Sequence, residues 1–525
     1  MNLRYASLLV LGAACTGDTG PAGPPGPPGG FDPDAPALDK AFVAVGGKDA
    51  LTALDQLSIT AEGERLLSLE NFTPDSESLP TGTFATTTAV DAAGDRARID
   101  YQRTISLFGV MTDYSVIIHG DVAVLDGVES IFGAPGHDLP SDRWAAEVRQ
   151  LRLLAPQLIL RDIALGTAQA TEAGLAVIDG DVQQQLDVSD RGRSISLFVD
   201  PHTGELTGAS TLENDHVLGD VAIRAFYVGW RAFDGELRFP GDVAITLDDK
   251  LIHSEHRTAA STTAALDPTT FDFPAGAAPT HDADAAARGE RNHEFLEAFG
   301  ALGVPLEGLQ TTIDAQQLAP GVFHLRGGSH HSLVVEQANG VVLVEAPLYD
   351  ARAQAILDFI ATTFPGKPVT HVIATHHHRD HAGALRTLVA RGATVIVGEA
   401  ARPFFEQTFR APHTIEPDEL AQHPRAATIE GVAPLATRTL ADATRPVQAF
   451  AITSNHAADM LVIYLPQQKI LFVSDLFSPG LPPNPPAARE VLDAVTGRSL
   501  AVTTIAGGHG FGIGTLADLQ AAAGE

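Results

Sequence analysis

Residues 375–383 of the chain read Thr-His-His-His-Arg-Asp-His-Ala-Gly, and they lie between a predicted buried strand and a predicted helix. At the end of a strand alternate side chains point the same way, so His376 and His378 can meet one metal ion. As the chain turns into the helix, Asp380 and His381 are presented to a second metal nearby. Three protein ligands and a shared water leave the open position that a catalytic metal requires. Imidazole and carboxylate ligands suit zinc, and iron or manganese is also compatible with them.

This His-x-His-x-Asp-His motif resembles the signature of the metallo-β-lactamase superfamily, and the resemblance extends over about residues 316–525. Three further residues occur in the order that the family's ligands follow: His456 in Ser-Asn-His-Ala, Asp475 in Val-Ser-Asp-Leu, and His509 in Gly-Gly-His-Gly. The resemblance implies an α/β fold, a four-layer αββα sandwich that holds two Zn²⁺. It also implies the ligand sets: His376, His378 and His456 for the first metal, Asp380, His381 and His509 for the second, and Asp475 as a bridge.

The resemblance further implies a metallo-hydrolase in which a hydroxide held between the metals is the nucleophile. Two divalent metals lower the pKa of bound water from about 16 to near 7, so no serine or cysteine nucleophile is needed. Asp380 and Asp475 are the candidate catalytic carboxylates, which orient the hydroxide and accept its proton. The expected partner is a small-molecule substrate.

Two positions depart from parts of the family. Glu345 stands where the family often has Asp, and we expect it to support the ligands rather than bind metal. Asp475 stands where true β-lactamases of this fold commonly have Cys or Ser, so the chain is more similar to glyoxalase II, lactonase and phosphodiesterase members. Flavo-diiron members commonly have Glu at the position of His378, so this histidine argues against that redox branch. The family name therefore does not predict antibiotic resistance.

Four functions remain open at this point. The leading hypothesis is a zinc-dependent hydrolase of an ester, lactone, thioester or amide. The second is a hydrolase of phosphoric or sulfuric esters, and the third is an iron enzyme similar to a persulfide dioxygenase. The fourth is a binding protein that holds a lipid or apolar ligand in its N-terminal region and has an inactive metal site.

Other histidines have simpler predicted roles. His371, early in the strand, is expected to be structural, and His377 should point away from the metals and hydrogen-bond behind them. His330 and His331 precede a predicted hairpin and are expected to have a structural role, with the mouth of the substrate site as the alternative.

Length, charge and cysteine content limit the remaining possibilities. The 525 residues predict two to four domains. The net charge of −31 argues against nucleic acid as a partner, because the chain repels phosphate backbones. The single cysteine, Cys15, excludes an intrachain disulfide and a thiolate zinc cluster.

The N-terminus is typical of a targeting signal. Residues 1–15 resemble a bacterial lipoprotein signal peptide, with a short apolar run that ends at Cys15, and an ordinary secretory signal is the alternative. Residues 16–35 carry glycine at every third position with prolines between, which predicts an extended tether. We therefore expect a lipid-anchored protein of the bacterial cell envelope, in the periplasm, on the outer membrane or at the cell surface, that touches the membrane only through this anchor.

The rest of the chain divides into three regions. Residues 36–275 contain short alternating runs separated by turns, which predict a mainly antiparallel β domain with one helix near 141–154. This pattern is loosely similar to the half-barrel of periplasmic lipoprotein carriers. Residues 276–315 are predicted to be a partly helical connector, and residues 316–525 alternate strands and helices as a layered α/β domain does.

Overall fold

The computed structural model describes residues 32–106, 109–130, 133–293 and 310–525. The predicted signal segment, most of the predicted tether and part of the predicted connector lie outside these residues, and their roles stay predictions. No helix within the described ranges is long and apolar enough to cross a membrane.

Residues 36–275, called here the N-terminal domain, form an antiparallel sheet of 13 strands, as the alternating runs predict. Its order is β6-β5-β4-β3-β2-β1-β15-β14-β11-β10-β9-β8-β7, and β12 and β13 form a separate ribbon. The strands are β1 Gln56–Leu67, β2 Leu79–Asp91, β3 Arg96–Ile105, β4 Val110–His119, β5 Val122–Gly127, β6 His137–Leu139, β7 Gln169–Ile178, β8 Asp181–Asp190, β9 Arg193–Val199, β10 Leu206–Asp215, β11 Gly219–Val228, β12 Arg231–Ala232, β13 Arg238–Phe239, β14 Asp242–Leu247 and β15 Lys250–Ser261.

Four helices contribute to the core on one face of this sheet: α1 Ala37–Ala44, α2 Lys48–Thr52, α3 Ser141–Leu154 and α4 Pro156–Leu165. Leu151 of α3 and Ile159 of α4 pack into the same core as the inward side chains of the strands. The cavity that remains between α3 and the sheet is about 30 Å³ and is lined partly by charged side chains, among them Glu147 and Arg257. A space of that size suits a water molecule. A lipid or apolar ligand for this domain stays a prediction.

The described part of the connector contains α5, Ala283–Arg291. The Asp282 side chain caps this helix by accepting hydrogen bonds from the amides of Asp284 and Ala285.

The C-terminal region contains two sheets and the helices that cover them. The first sheet has the order β16-β17-β18-β19-β20-β21-β22, and the second runs β23-β24-β25-β26-β27-β28. Their strands are β16 Asp314–Ala319, β17 Val322–Arg326, β18 Ser332–Gln337, β19 Gly340–Val344, β20 Val369–Ile373, β21 Thr394–Gly398, β22 Thr428–Val432, β23 Thr437–Leu440, β24 Val447–Ala451, β25 Leu461–Leu465, β26 Ile470–Phe472, β27 Thr504–Ala506 and β28 Ile513–Gly514. The helices are α6 Asp350–Thr363, α7 Arg379–Ala382, α8 Leu385–Ala390, α9 Arg402–Thr408, α10 Glu419–Gln422, α11 Pro485–Gly497 and α12 Leu516–Ala522, with short 3₁₀ turns that include Ser474–Leu476.

Three apolar layers hold these elements together. Val342 and Ile463 belong to the core between the two sheets. Leu343 faces α6 and α8 on the outer side of the first sheet, and Val462 faces α11 and α12 on the outer side of the second. The order is helix, sheet, sheet, helix, so the predicted four-layer sandwich is confirmed.

Pro485 and Pro486 begin α11. Proline suits the first turn of a helix because the amide it lacks has no partner there, and Asn484 caps the helix through the amide of Ala487.

Candidate metal centre

The candidate ligands lie at one edge of the sandwich, where strands of both sheets end. The 375–383 motif follows β20, and the helical turn α7 within it carries Asp380 and His381. Asp475 follows β26, and His509 follows β27, which pairs parallel to β26. His456 lies in the loop between β24 and β25, which meets the same edge because those two strands are antiparallel.

The first group contains His376, His378, His456 and Asp475, and their ligand atoms all lie within 4.8 Å of one another. The Nε2 atoms of His376 and His456 are 3.2 Å apart. His456 is held in place by its own loop, since its amide donates to Ser454, whose hydroxyl donates to Glu490. The predicted first ligand set is therefore brought together.

The second group contains Asp380, His381 and His509, together with His330, again with ligand atoms within 4.8 Å. His330 Nε2 lies 2.8 Å from Asp380 Oδ2 and leaves Oδ1 of that carboxylate without a hydrogen-bond partner. His330 therefore lies at the metal centre, a position that the sequence did not predict.

Asp475 lies between the two groups. Its Oδ2 is 3.1 Å from His456 Nε2, and its Oδ1 is 2.9 Å from His381 Nε2 and 3.2 Å from His509 Nε2. A carboxylate with one oxygen toward each group has the placement that a bridging ligand needs. The assignment of these residues as ligands stays a prediction.

Glu345 fixes the orientation of several of these side chains. Its Oε1 accepts hydrogen bonds from Thr375 Oγ1 (2.6 Å) and Ser474 Oγ (2.5 Å), and its Oε2 accepts from His381 Nδ1 (2.9 Å). Glu345 is fully buried, has a φ of 63° and belongs to none of the candidate ligand groups found among the described residues. The expectation that it supports the ligands is confirmed by these hydrogen bonds.

Hydrogen bonds also determine which ring nitrogen of each histidine is free to bind a metal. His381 donates from Nδ1 to Glu345, and His509 donates from Nδ1 to the Ser329 carbonyl, 2.6 Å away. Because the Thr375 hydroxyl donates to Glu345, it accepts from His376 Nδ1 at 2.9 Å. In the neutral form of each of these three histidines Nε2 therefore carries a lone pair, directed toward the centre of the cluster.

The ligand atoms of this site fit a pair of divalent cations. Nε2 of His381, Oδ1 of Asp380 and Oδ1 of Asp475 are buried without a hydrogen-bond partner among the described residues. The contact of 2.9 Å between His381 Nε2 and Asp475 Oδ1 lacks hydrogen-bond geometry, so it leaves both atoms unsatisfied. Buried acceptors that face one another are costly unless a cation lies between them.

The electrostatics of the site also favour bound divalent cations. Burial, assisted by neighbouring histidines, lowers the pKa of His376 and His378 well below the usual value, so both are in the neutral form that binds metal. Burial opposes the charged form of His381, but Asp475, Glu345 and Asp380 outweigh it and raise the pKa of that imidazole. An excess of buried negative charge surrounds His381, and divalent metals would neutralise it.

The other histidines of the motif region lie outside the predicted ligand sets. His377 points away from the centre and donates from Nδ1 to Asp459, 2.7 Å away. His371 lies on β20 beside Thr370. His331 is buried against His324, which fits a structural role rather than a place at the substrate mouth.

Two contacts from the N-terminal domain were not predicted from the sequence. Glu70 lies 3.3 Å from His378 Nδ1, and Asp215 accepts a 2.5 Å hydrogen bond from Arg379, the residue between His378 and Asp380. Neither acidic residue belongs to a motif, and no signal in the sequence distinguishes them from the chain's other carboxylates.

Comparisons with known proteins agree with this geometry. A family model described as the metallo-beta-lactamase superfamily matches residues 325–509. A curated relative, metallo-beta-lactamase type 2 of Bacillus cereus, is 28% identical over 152 residues, which cover 29% of this chain and 52% of that protein. The match thus spans about half the length of the relative.

Solved structures that are similar to part of this chain include a metallo-beta-lactamase from Pontibacter korlensis and the DIM-1 metallo-beta-lactamase. They are 19% and 20% identical, cover 41% and 40% of this chain and 98% and 95% of their own chains, and have a TM-score of 0.30. Residues 325–509, within the C-terminal domain, match the metallo-β-lactamase superfamily.

Proposed function

We propose that this protein is a binuclear zinc-dependent hydrolase that cleaves an ester, lactone, thioester or amide. The observation that carries this proposal is the placement of Asp475 between two groups of ligand atoms, each within 4.8 Å. His376, His378 and His456 would hold one metal, and Asp380, His381 and His509 would hold the other. When bound, two such metals lower the pKa of a shared water to near 7 and polarise a substrate carbonyl.

The chain's own residues prepare the site for this reaction. The Thr375 hydroxyl and the Ser329 carbonyl hold His376 and His509 with Nε2 toward the centre. His330 holds Oδ2 of Asp380 and leaves Oδ1 free. We assign to Asp380 and Asp475 the orientation of the attacking water and the acceptance of its proton, since their carboxylates face the space between the two groups.

The surroundings of the site favour a substrate with an apolar part over a polyanion. Phe72, whose carbonyl accepts a hydrogen bond from Ala458 near His456, is 45% exposed. Phe511, two residues beyond His509, is 70% exposed. With a net charge of −31 on the chain, these aromatic surfaces favour carboxylic esters, lactones, thioesters and amides over phosphoric or sulfuric esters.

The test uses the full chain loaded with zinc and a panel of substrates: a lactone, an aryl ester, a thioester, a β-lactam, a phosphodiester and a sulfate ester. We expect turnover of a carboxylic substrate that a chelator abolishes and that zinc restores. Asp475→Ala should reduce turnover by about 100-fold or more, because both metals lose a ligand.

Asp493→Ala, at an exposed position of α11, is the matched control and should leave turnover unchanged. Turnover restricted to the phosphate or sulfate substrate would contradict the proposed bond class. Iron in place of zinc in the purified protein, with no hydrolysis, would favour the oxygenase alternative instead.

A further inference from the structure

The segment 68–78, between β1 and β2 of the N-terminal domain, reaches the metal centre. Its backbone is fastened there, since Ala458 N donates to the Phe72 carbonyl at 2.8 Å. Glu70 is buried, and its Oε1 accepts a 3.1 Å hydrogen bond from the amide of Arg379. The other oxygen, Oε2, lies 3.3 Å from His378 Nδ1. The N-terminal domain therefore contacts His378, a proposed metal ligand of the C-terminal domain.

The protonation of His378 is determined by the residue that follows Glu70. His378 Nε2 lies 3.1 Å from the carbonyl oxygen of Asn71, which can only accept a hydrogen bond. Nε2 therefore carries the hydrogen, and neutral His378 presents the lone pair of Nδ1 to the Glu70 carboxylate. Two acceptors that face each other at 3.3 Å repel unless a proton or a metal ion lies between them.

The spacing fits a shared metal ion. Ligands about 2.1 Å from a tetrahedral metal lie about 3.4 Å from one another. The His456–Asp475 and His376–His456 pairs of the first group are separated by 3.1 and 3.2 Å. The separation of 3.3 Å between Glu70 and His378 belongs to the same range. Ligand atoms of Glu70, His378 and Asp380 also lie within 4.8 Å of one another.

We propose that Glu70 is a ligand of the metal centre on the side of His378 and Asp380, so that the metal centre is assembled from both domains. This inference rests on the proposed binuclear site.

The experiment measures zinc binding by the full chain in competition with a chromophoric chelator. The variant is Glu70→Gln, which keeps an oxygen for the Arg379 amide but removes the negative charge. Glu64→Gln, at an exposed position of β1, is the matched control. We expect the wild type and the control to bind two zinc ions, and Glu70→Gln to bind one of them at least about tenfold more weakly, since even residues that only support a ligand contribute that much.

A second readout is the visible spectrum of the Co²⁺-loaded chain, which reports the coordination of the metal. Glu70→Gln should change that spectrum, and Glu70→Asp, which keeps the carboxylate on a shorter side chain, should bind more tightly than Gln. Equal zinc affinity and an equal Co²⁺ spectrum in Glu70→Gln and the wild type would overturn the inference. A wild type that binds no metal would instead overturn the proposed function.

Discussion

At the scale of single residues, Glu345 orients several side chains of the site although it lies outside the 375–383 motif. It accepts hydrogen bonds from Thr375, Ser474 and His381, and each of these is, or adjoins, a candidate ligand. Gly508 packs against this arrangement, and a Cβ there would lie 3.0 Å from His381 and 3.3 Å from Glu345. The orientation of His381 therefore depends on one buried carboxylate and on the space beside it.

Glu345→Gln should weaken zinc binding at the second site by about 10- to 100-fold. The amide can accept from Thr375 and Ser474, but its NH₂ group then faces the N–H of His381, so the imidazole loses its acceptor. Zinc competition on the full chain measures the change, with Glu64→Gln as the control. If Glu345→Gln binds zinc as the wild type does, Glu345 does not position His381.

Individual residues also show how much of the site could be predicted from the sequence. All seven predicted ligands are histidines or aspartates, four of them in the 375–383 motif and three of them, His456, Asp475 and His509, directly after short segments with glycine or serine, and the structure gathers all seven. Glu70 and Asp215 were not predicted because they reach the motif across 309 and 164 positions of the chain, respectively. Contacts over such separations follow from the docking of two domains, which no local pattern encodes.

At the scale of elements, β17 is a strand of the first sheet whose two faces pack into different cores. Leu325 belongs to the core under the helices, whereas Val322 faces the second sheet, as alternation requires. His324 points the same way as Val322 and donates from Nε2 to the Gly507 carbonyl, 3.1 Å away beyond β27. A histidine between two packed sheets is poorly solvated, and burial lowers the pKa of His324 to about 4.

This histidine should make stability depend on pH. Unfolded, His324 binds a proton near pH 6.5, but folded it does so only near pH 4, so the unfolded chain holds more protons between these values. Stability is therefore full above about pH 6.5 and falls as the pH drops toward 4, by up to about 1.4 kcal/mol per pH unit from this residue. His324→Gln keeps a donor but does not titrate.

Urea unfolding of metal-free wild type and His324→Gln between pH 4 and 7 measures this contribution. The variant should show a shallower decline, and the remaining slope belongs to the other buried histidines. A parallel decline in both chains would show that His324 does not titrate in this window.

The elements themselves were predicted unevenly. The helix over 141–154 and the apolar strands of the sandwich follow strong periodicity, and they are present. β1 and β2 were not among the predicted runs, because threonine, alanine and serine along Thr86–Ala89 and similar stretches give little hydrophobic alternation. They form through pairing with each other and with β15, which is a tertiary effect.

At the scale of the whole molecule, Arg379 and Asp215 fasten the N-terminal domain to the metal-binding motif. Both side chains are buried, and His293 also contacts the carboxylate, 3.1 Å from Oδ2. Burial opposes ionisation of Asp215, but Arg379 and His293 hold its pKa below the usual range. Next to this pair, Asp220 accepts hydrogen bonds from the amides of Thr414 and Ile415, so the contact extends beyond one ion pair.

Asp215→Asn should destabilise the docked chain by about 3 to 5 kcal/mol, because it leaves a buried guanidinium without its carboxylate. Urea unfolding of the metal-free chain, followed by circular dichroism, measures the loss. Asp181→Asn, at an exposed position of β8, is the control and should change little. A similar unfolding midpoint in both variants would mean that the ion pair does not hold the domains together.

The position of Arg379 inside the ligand motif also has a consequence for evolution. We expect a replacement of Arg379 to be tolerated only with a matching replacement of Asp215, because an N-terminal domain without that acid would leave a buried, uncompensated charge between His378 and Asp380. We therefore expect the two domains to have diversified together in descent, and a transplant of either one between distant homologues to require repair at this joint.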